Sequence, residues 1–320
     1  MPKISIIIPV YKAENYIEHC IRSLMEQTMD DLEFIFINDC TPDNSMIILY
    51  KTLMDYPHRK HQTIIINNEK NLGPSDSRKR AINIANGNYI GCCDSDDWVD
   101  KDYYQTMYNA TQNESIDIIV SEYYLEGREI QIHHFNKSNT PQDALAAMNN
   151  NHYFSYSMWN QIIKRNIITE QIQFIIPTRL REDTFLMMRV YFYAKNIHFL
   201  PLAFYHYRQD NESSLCHNID IGEKAWKEQK ENMDNITKLL NGNKKFKKGI
   251  NLFKFMLKQK YRKTFPNLKT YYFAFRESHY DYVQEINKTS SSSINRLKTK
   301  VIWDTIYFFF WLHHFKKGIL

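Results

Sequence analysis

Glycine is scarce in this chain, at 8 of 320 residues, against about 7% in average proteins. No Gly-x-Gly-x-x-Gly and no Gly-x-x-x-x-Gly-Lys-Ser/Thr run occurs. The glycine loops that cradle phosphates in dinucleotide-binding and P-loop proteins are therefore missing. There is no Cys-x-x-Cys pair, which removes the usual structural zinc motif. The five cysteines are odd in number, and Met1-Pro2-Lys3 runs straight into Ile4-Ser5-Ile6-Ile7-Ile8 without a cleavage site. These features predict thiols kept reduced in a cytosol. No apolar run reaches the roughly 18 residues of a spanning helix.

What is present is apolar and aromatic residue, at 43% and 14% of the chain, enough for a sizeable core. The net charge of +5 hides an asymmetry. Residues 1–222 carry 20 Lys+Arg against 28 Asp+Glu, or −8, and residues 223–320 carry 21 against 8, or +13. An acidic front and a basic back imply two tasks, the second facing either an anionic partner or water alone.

Strand and helix signals alternate through the first hundred residues. Continuous apolar runs at Ile4–Pro9, Leu32–Ile37, Thr63–Ile66 and Tyr89–Cys93 predict strands covered on both faces. Helical spacing over Glu14–Gln27, Ile47–Met54 and Pro74–Ala85 predicts the connections, with Gly87 expected as the last helix's left-handed cap. Such a rhythm implies a mostly parallel sheet flanked by helices. Ligands gather beyond the carboxyl ends of strands in sheets of this kind. A helix near Asp102–Thr111 and a strand at Ile116–Val120 follow, then a less regular stretch to about residue 180, a helix over Glu182–Ala194, and helices beyond about residue 219.

Asp94-Ser95-Asp96-Asp97 stops the fourth strand. Three carboxylates at one strand end repel each other unless a cation or hydrogen-bond donors compensate. Mg²⁺ or Mn²⁺ suits such oxygens. A helix cap is the plainer alternative, but it requires one Asp rather than three. Cys92 and Cys93, within the strand, read as small core residues.

These motifs resemble family 2 glycosyltransferases with the GT-A fold. The resemblance is carried by Ile6-Ile7-Ile8-Pro9-Val10-Tyr11-Lys12, Asn38-Asp39, Asn71-Leu72-Gly73-Pro74-Ser75 and Asp94-Ser95-Asp96-Asp97-Trp98. It covers roughly residues 3–110 and continues more weakly through Glu182-Asp183 to about residue 215. It implies a Rossmann-like α/β catalytic domain over residues 1–218, with a nucleotide-binding half at 1–112 and an acceptor half at 113–218. A basic helical extension at 219–288 and an aromatic, basic tail at 289–320 would follow. The implied reaction is metal-dependent, inverting transfer from a nucleotide diphosphate sugar, with uridine as the favoured nucleoside, to a hydroxyl of a glycan or lipid-linked acceptor. Cell-surface polysaccharide synthesis is the setting the resemblance implies.

Residue by residue, the resemblance places Pro9, Val10 and Tyr11 at the nucleotide base and lets Asp39 accept the N3–H of uracil or thymine. Asp94 and Ser95 fall at the ribose side and Asp96 at the metal, Mn²⁺ or Mg²⁺. Asp97 is left either to support the metal through water or to cap a helix. Arg78 is expected to face the diphosphate, although Ser77-Arg78-Lys79-Arg80-Ala81 departs from the family's common Ala-Arg-Asn-x-Gly. Asp183 is the implied general base, with Glu182 helping to position base or acceptor; a plain helix-start effect is their structural alternative. His206 is a further candidate for metal or phosphate, Arg208 and Ser213 for the diphosphate, and Trp159 and Asn160 for the acceptor groove. Trp159 fits a buried core position equally well.

Three rival readings are weaker. A sugar-phosphate nucleotidyltransferase would carry a glycine-rich loop where Tyr11-Lys12-Ala13-Glu14-Asn15 stands. A nucleic-acid binder would leave the carboxylate cluster unexplained. A non-catalytic nucleotide- or glycan-binding module would show no metal-dependent turnover.

Phe246, Ile250, Phe253, Leu257 and Tyr261 share one helix face, opposite Lys247, Lys248, Lys254, Lys258 and Arg262. Val301–Leu312 concentrates six aromatics between Lys298, Lys300, Lys316 and Lys317. Both features suit the surface of an anionic leaflet, and place the protein in the cytoplasm with peripheral attachment to the inner membrane face. The alternative is packing on the catalytic domain or on a second subunit. On the membrane reading, the full chain sediments with anionic liposomes at low salt and a chain lacking residues 294–320 does not. A full chain that ignores such liposomes points to oligomerisation instead.

Overall fold

A strand without polar alternation must be covered on both faces. In the computed structural model, β1 (Ile4–Val10) accordingly lies inside the sheet and is buried along almost all of its length. The structure describes residues 1–138, 140–148, 152, 154–172, 182–211, 223–240 and 242–260. Strands β2 (Leu32–Asn38), β3 (Thr63–Asn67) and β4 (Tyr89–Cys92) run parallel to β1 in the order β3-β2-β1-β4. Helices α1 (Ile17–Met25), α2 (Ser45–Leu53) and α3 (Pro74–Ile84) make the connections. The face of α1 that packs inward carries Ile17, Cys20, Ile21, Leu24 and Met25, the helical spacing read from sequence. Its C-terminal end is closed by buried Arg59, whose guanidinium donates to the carbonyls of Met25, Gln27 and Met29.

The sheet continues without a break past residue 112. Beyond β4 come an antiparallel strand at Gln161–Lys164, the long strand Ile118–Glu126, the strand Ile197–Arg208, and the two-residue strand Trp98–Val99. In chain order these are β5 (Trp98–Val99), β6 (Ile118–Glu126), β8 (Gln161–Lys164) and β9 (Ile197–Arg208), with β7 (Ile130–His133) paired to the outer part of β6. Helices α4 (Tyr103–Asn109), α5 (Pro141–Ala146) and α6 (Glu182–Tyr193) complete this half.

The stretch read as irregular thus holds β7, α5 and β8. Four apolar-to-polar residues in β8 are too few to show a period. β9 contains Pro201, which marks against a strand. The chain accommodates it by a bulge: Leu200 stands opposite Ser121 and Ala203 opposite Glu122, so Pro201 and Leu202 project into solvent.

Gly87 is needed for a different reason from the one expected. Its φ is not positive, and α3 ends instead on extended Ala85. A Cβ at Gly87 would lie 2.4 Å from the backbone nitrogen of Ser5. The Gly87 N–H donates to Ser5 Oγ at 2.8 Å, so the residue permits close backbone approach to β1.

The basic extension forms α7 (Glu223–Leu240) and α8 (Lys244–Lys260). The apolar face of α8 does not wait for lipid. Phe246 and Phe253 are fully buried and Ile250 is 5% exposed. The Phe246 ring meets Phe192, and the Phe253 ring meets Phe185 and Tyr156. The membrane reading of this face is corrected: a helix whose apolar stripe already fills a core has no such stripe left for a bilayer. The side chain of Leu257, Tyr261 and the tail at 289–320 lie outside the described residues. Among the described residues no helix is long and apolar enough to cross a membrane.

Gly249 lets α8 press against α5, since a Cβ there would lie 2.3 Å from the Ala146 carbonyl oxygen. We predict that Gly249→Ala destabilises the fold by about 1–3 kcal/mol, the range for overpacking. Gly127→Ala, whose Cβ would meet only the flexible end of Gln209 at 3.2 Å, costs less than about 1 kcal/mol. Denaturant unfolding of the two variants checks the contrast.

Candidate active site

The parallel strands β1, β2 and β4 end at one edge of the sheet, and the residues just past them form the site. Pro9 and Val10 close β1, with Val10 fully buried and its carbonyl accepting from Asp39 N–H at 3.0 Å. Tyr11 follows with its ring 41% exposed and the Lys12 ammonium 5.5 Å from the ring centroid. An exposed ring at this edge offers a face for stacking.

Asp39 is only 3% exposed. Its Oδ1 accepts from Asn68 Nδ2 at 2.7 Å and from the Leu72 N–H at 2.8 Å, and its Oδ2 from the Gly73 N–H at 2.9 Å. Gly73 sits at φ +87° and ψ 167°, a conformation nearly restricted to glycine. One carboxylate therefore ties the end of β2 to the loop that starts α3.

The acidic turn follows β4. No helix begins there: Asp97 N–H bonds back to the Asp94 carbonyl, and β5 comes next. The helix-cap alternative is thereby removed. Ser95 is buried within the turn. Asp97 is 1% exposed, and its oxygens accept from Tyr205 Oη at 2.7 Å and from the Arg208 N–H at 2.8 Å. Asp97 is an anchor of the turn. Asp96 accepts from Asn211 Nδ2 through one oxygen, at 2.7 Å. Burial and then the Asp94 charge push the Asp96 carboxyl above its ordinary range; burial, Asp96 and Asp94 do the same more strongly to Asp97.

Arg78 on α3 joins this turn to α6. Its Nη2 donates to Asp94 Oδ1, and its Nη1 to Glu182 Oε1 and Asp183 Oδ1, each at 2.9 Å. Its side chain is 7% exposed, against 28% for Asp94, 18% for Glu182 and 19% for Asp183. The cation lies deeper than the carboxylates it serves. Arg78, expected to face a diphosphate, lies here as an inner counter-charge to these three carboxylates. Burial works against its charge, but Asp183, Asp94 and Glu182 outweigh that and hold it protonated more firmly than usual. Its Nε finds no partner among the described residues.

Burial raises Glu182, assisted by Asp183 and opposed by Arg78, so its carboxyl is pushed up to about 7. Burial also raises Asp183, with Arg78 opposing and Asp94 adding. The site therefore gathers Asp94, Asp96, Asp97, Glu182 and Asp183 around Arg78, with Arg208 alongside. The excess is negative, which suits a divalent cation. Among the described residues no three Asp, Glu, His or Cys side chains converge to hold one by themselves. Mg²⁺-type sites use one or two carboxylates and complete their shell with substrate phosphates, so Asp94 and Asp96 fit that pattern.

Other candidates stand elsewhere. His206 does not face Asp96: Nδ1 pairs with Glu126 at 2.7 Å and Nε2 with Asp100 at 3.3 Å. Its ring stacks between Trp98 and Tyr124 because β9 brings it opposite both. Arg208, expected at the diphosphate, lies against the acidic turn. Its guanidinium covers Trp98 and Tyr16 at 4.8 and 5.0 Å, and its Nε donates to the Asp96 carbonyl at 3.0 Å. Trp159 belongs to the core, 7% exposed and stacked on Tyr205 and Tyr207. Asn160 is fully buried and bonds to Ser121 and Ser155. Ser213 lies outside the described residues. Tyr205 and Asn211, which the sequence reading did not single out, both touch the acidic turn. Alternate aromatics at Tyr205 and Tyr207 are the one sequence signal for the first; Asn211 has none.

The family model for Glycosyl transferase family 2 matches residues 5–178. Glycosyltransferase GlyA of Streptococcus pneumoniae serotype 4 is 30% identical over 218 residues, 64% of this chain and 30% of that protein. Poly(ribitol-phosphate) beta-glucosyltransferase of Bacillus spizizenii is 30% identical over 201 residues, 61% of this chain and 30% of that protein. The match thus spans under a third of either relative. The crystal structure of S. aureus TarS 1–349 in complex with UDP-GlcNAc superposes with a TM-score of 0.64 at 21% identity, covering 89% of this chain and 79% of that one. Mannosyltransferase PcManGT from Pyrobaculum calidifontis, in complex with GDP-Man and Mn²⁺, gives 0.58 at 10% identity, covering 95% and 79%. These two share the fold.

Arg78→Met should destabilise the protein by about 3–5 kcal/mol, because it leaves buried carboxylates uncompensated. Without the cation those carboxyls rise further, so protonation relieves the variant. Its deficit should be largest above about pH 7 and shrink toward about pH 5, which denaturant unfolding across pH checks. Carboxyl NMR should place the Glu182 midpoint near about 7. In Asp183→Asn the midpoint should fall, because a charge that raises it is gone.

Proposed function

Because the chain belongs to glycosyl transferase family 2, we propose that its acidic cleft transfers a sugar, with inversion, from a UDP-sugar to a hydroxyl of a glycan or lipid-linked acceptor. The observation that carries this reading is the Arg78 bridge, which puts Asp94 on the donor side and Glu182 and Asp183 on the acceptor side into one cluster. The TarS complex with UDP-GlcNAc supports the uridine donor, and the PcManGT complex supports Mn²⁺. Cell-surface polysaccharide synthesis, at the inner face of a membrane, fits the poly(ribitol-phosphate) relative and the aromatic, basic tail.

Asp39 Oδ2 carries one donor, and a carboxylate oxygen accepts two. Uracil N3–H supplies the second, while Tyr11 stacks on the base. Asp94 and Asp96 would hold Mn²⁺ or Mg²⁺, which when bound offsets charge on the departing diphosphate. Asp183 takes the proton from the acceptor hydroxyl as that oxygen attacks the sugar C1. The C1–oxygen bond to the diphosphate breaks on the opposite side, and the proton stays on Asp183. Glu182 shares the Arg78 donor with Asp183 and fixes its orientation. Arg78 supplies inner positive charge that opposes the upward push of burial on Asp183 and holds the two sides in register.

Asp183→Asn should keep UDP binding and lose about 10²–10⁴-fold in kcat, the range for a general base. Transfer at the wild-type rate would move the base elsewhere, with Glu182 next in line. Asp96→Ala should abolish the Mn²⁺-dependent part of UDP binding by calorimetry while the fold survives; unchanged binding would remove Asp96 from the metal.

A further inference from the structure

The four-residue acidic turn, held at Asp94 by Arg78, is held on its other side by one strand and its extension. β9 pairs with β5, Val99 opposite Tyr205 and Trp98 opposite His206, so its C-terminal end runs beside the turn that leads into β5. The Tyr205 hydroxyl bonds to both ends of that turn. It accepts from the Asp94 N–H at 3.1 Å and donates to Asp97 Oδ2 at 2.7 Å. The ring that carries it is fully buried, stacked on Trp159 at 4.6 Å, and approached by the edge of Tyr103 at 6.3 Å. The hydroxyl cannot move without disturbing that packing. Three residues on, the Arg208 N–H takes the other oxygen of Asp97. Three residues further, Asn211, 5% exposed, donates its side-chain amide to Asp96 Oδ2 at 2.7 Å.

These contacts divide the neighbouring carboxylates by task. Both oxygens of Asp97 are committed inward to β9. Asp96 is held through Oδ2 by Asn211, which sets the plane of its carboxylate and leaves acceptor capacity to present. We infer that Tyr205 and Asn211 are positioning residues for the donor's divalent cation: Tyr205 fixes the turn's backbone, and Asn211 fixes the orientation of the Asp96 carboxylate. This rests on the glycosyl-transfer reading. It extends that reading by assigning the metal's outer support to the end of β9. Groups that orient a ligating carboxylate without touching the metal commonly contribute about 10–100-fold to metal affinity.

The test is calorimetric titration of UDP into full-length protein at several Mn²⁺ concentrations, and without Mn²⁺, for wild type, Tyr205→Phe and Asn211→Ala. Tyr205→Phe keeps the ring and removes the hydroxyl. Asn211 lies three residues beyond the strand, so Asn211→Ala supplies an answer should Tyr205→Phe fail to fold. The expected result is an about 10–100-fold weaker Mn²⁺-dependent UDP affinity in either variant. Raising Mn²⁺ should restore that affinity, and metal-free UDP binding should be unchanged. Unaltered Mn²⁺ dependence in both variants would overturn the inference. So would a loss that excess Mn²⁺ does not restore, or one that equally affects metal-free UDP, since either marks a purely structural effect. If wild type itself binds UDP no better with Mn²⁺, the functional reading falls and takes the inference with it.

Discussion

A single buried guanidinium sets the terms for the whole cleft. Arg78 reaches Asp94 from one side and Glu182 with Asp183 from the other, all through hydrogen bonds of 2.9 Å. One cation among so many carboxylates cannot neutralise them, and the protein does not attempt it. Glu182, Asp183, Asp96 and Asp97 are all held above their ordinary ionisation range by burial. The cleft is therefore built under electrostatic tension that an incoming cation and its anionic ligand would relax together. A stable fold tolerates this because the strands beneath are almost entirely apolar and the polar backbone of the turn is satisfied from β9.

The parallel half of the fold was legible because its strands are long enough and apolar enough to be unambiguous. Ile4–Val10 and Leu32–Asn38 match the expected runs to within a residue. Recognition failed where tertiary contact, not local pattern, decides the conformation. β8 is only Gln161–Lys164 and gains its identity from the two strands it fills between. β9 carries a proline that only a bulge against β6 makes acceptable. Gly87 was noticed for its chemistry, yet it serves backbone proximity and not backbone handedness.

The site divides along the same line. Asp39, the acidic turn, and Glu182 with Asp183 announce themselves because clustered or strand-terminal carboxylates are costly to bury without a purpose. Arg78 was visible as a basic residue, but nothing in a linear pattern says that it lies deeper than its partners. His206, Arg208 and Trp159 were equally conspicuous, and three-dimensional packing assigns them to stacks and carbonyl contacts. Tyr205 and Asn211 were the reverse, ordinary in sequence and placed at the turn by the register of β9 with β5.

The continuity of the sheet across residue 112 has a mechanical consequence. β4 and β6 are joined through β8, and β9 belongs to the same hydrogen-bonded surface as β1. The ends of β2 and β4 and the C-terminal end of β9 are thus mounted on one plate, with no break in the ladders between the described strands. Opening this cleft like a jaw would require tearing ladder hydrogen bonds, so access to it is a matter for the loops at its rim. The spacing between the acidic turn and the strand that flanks it is set when the chain folds.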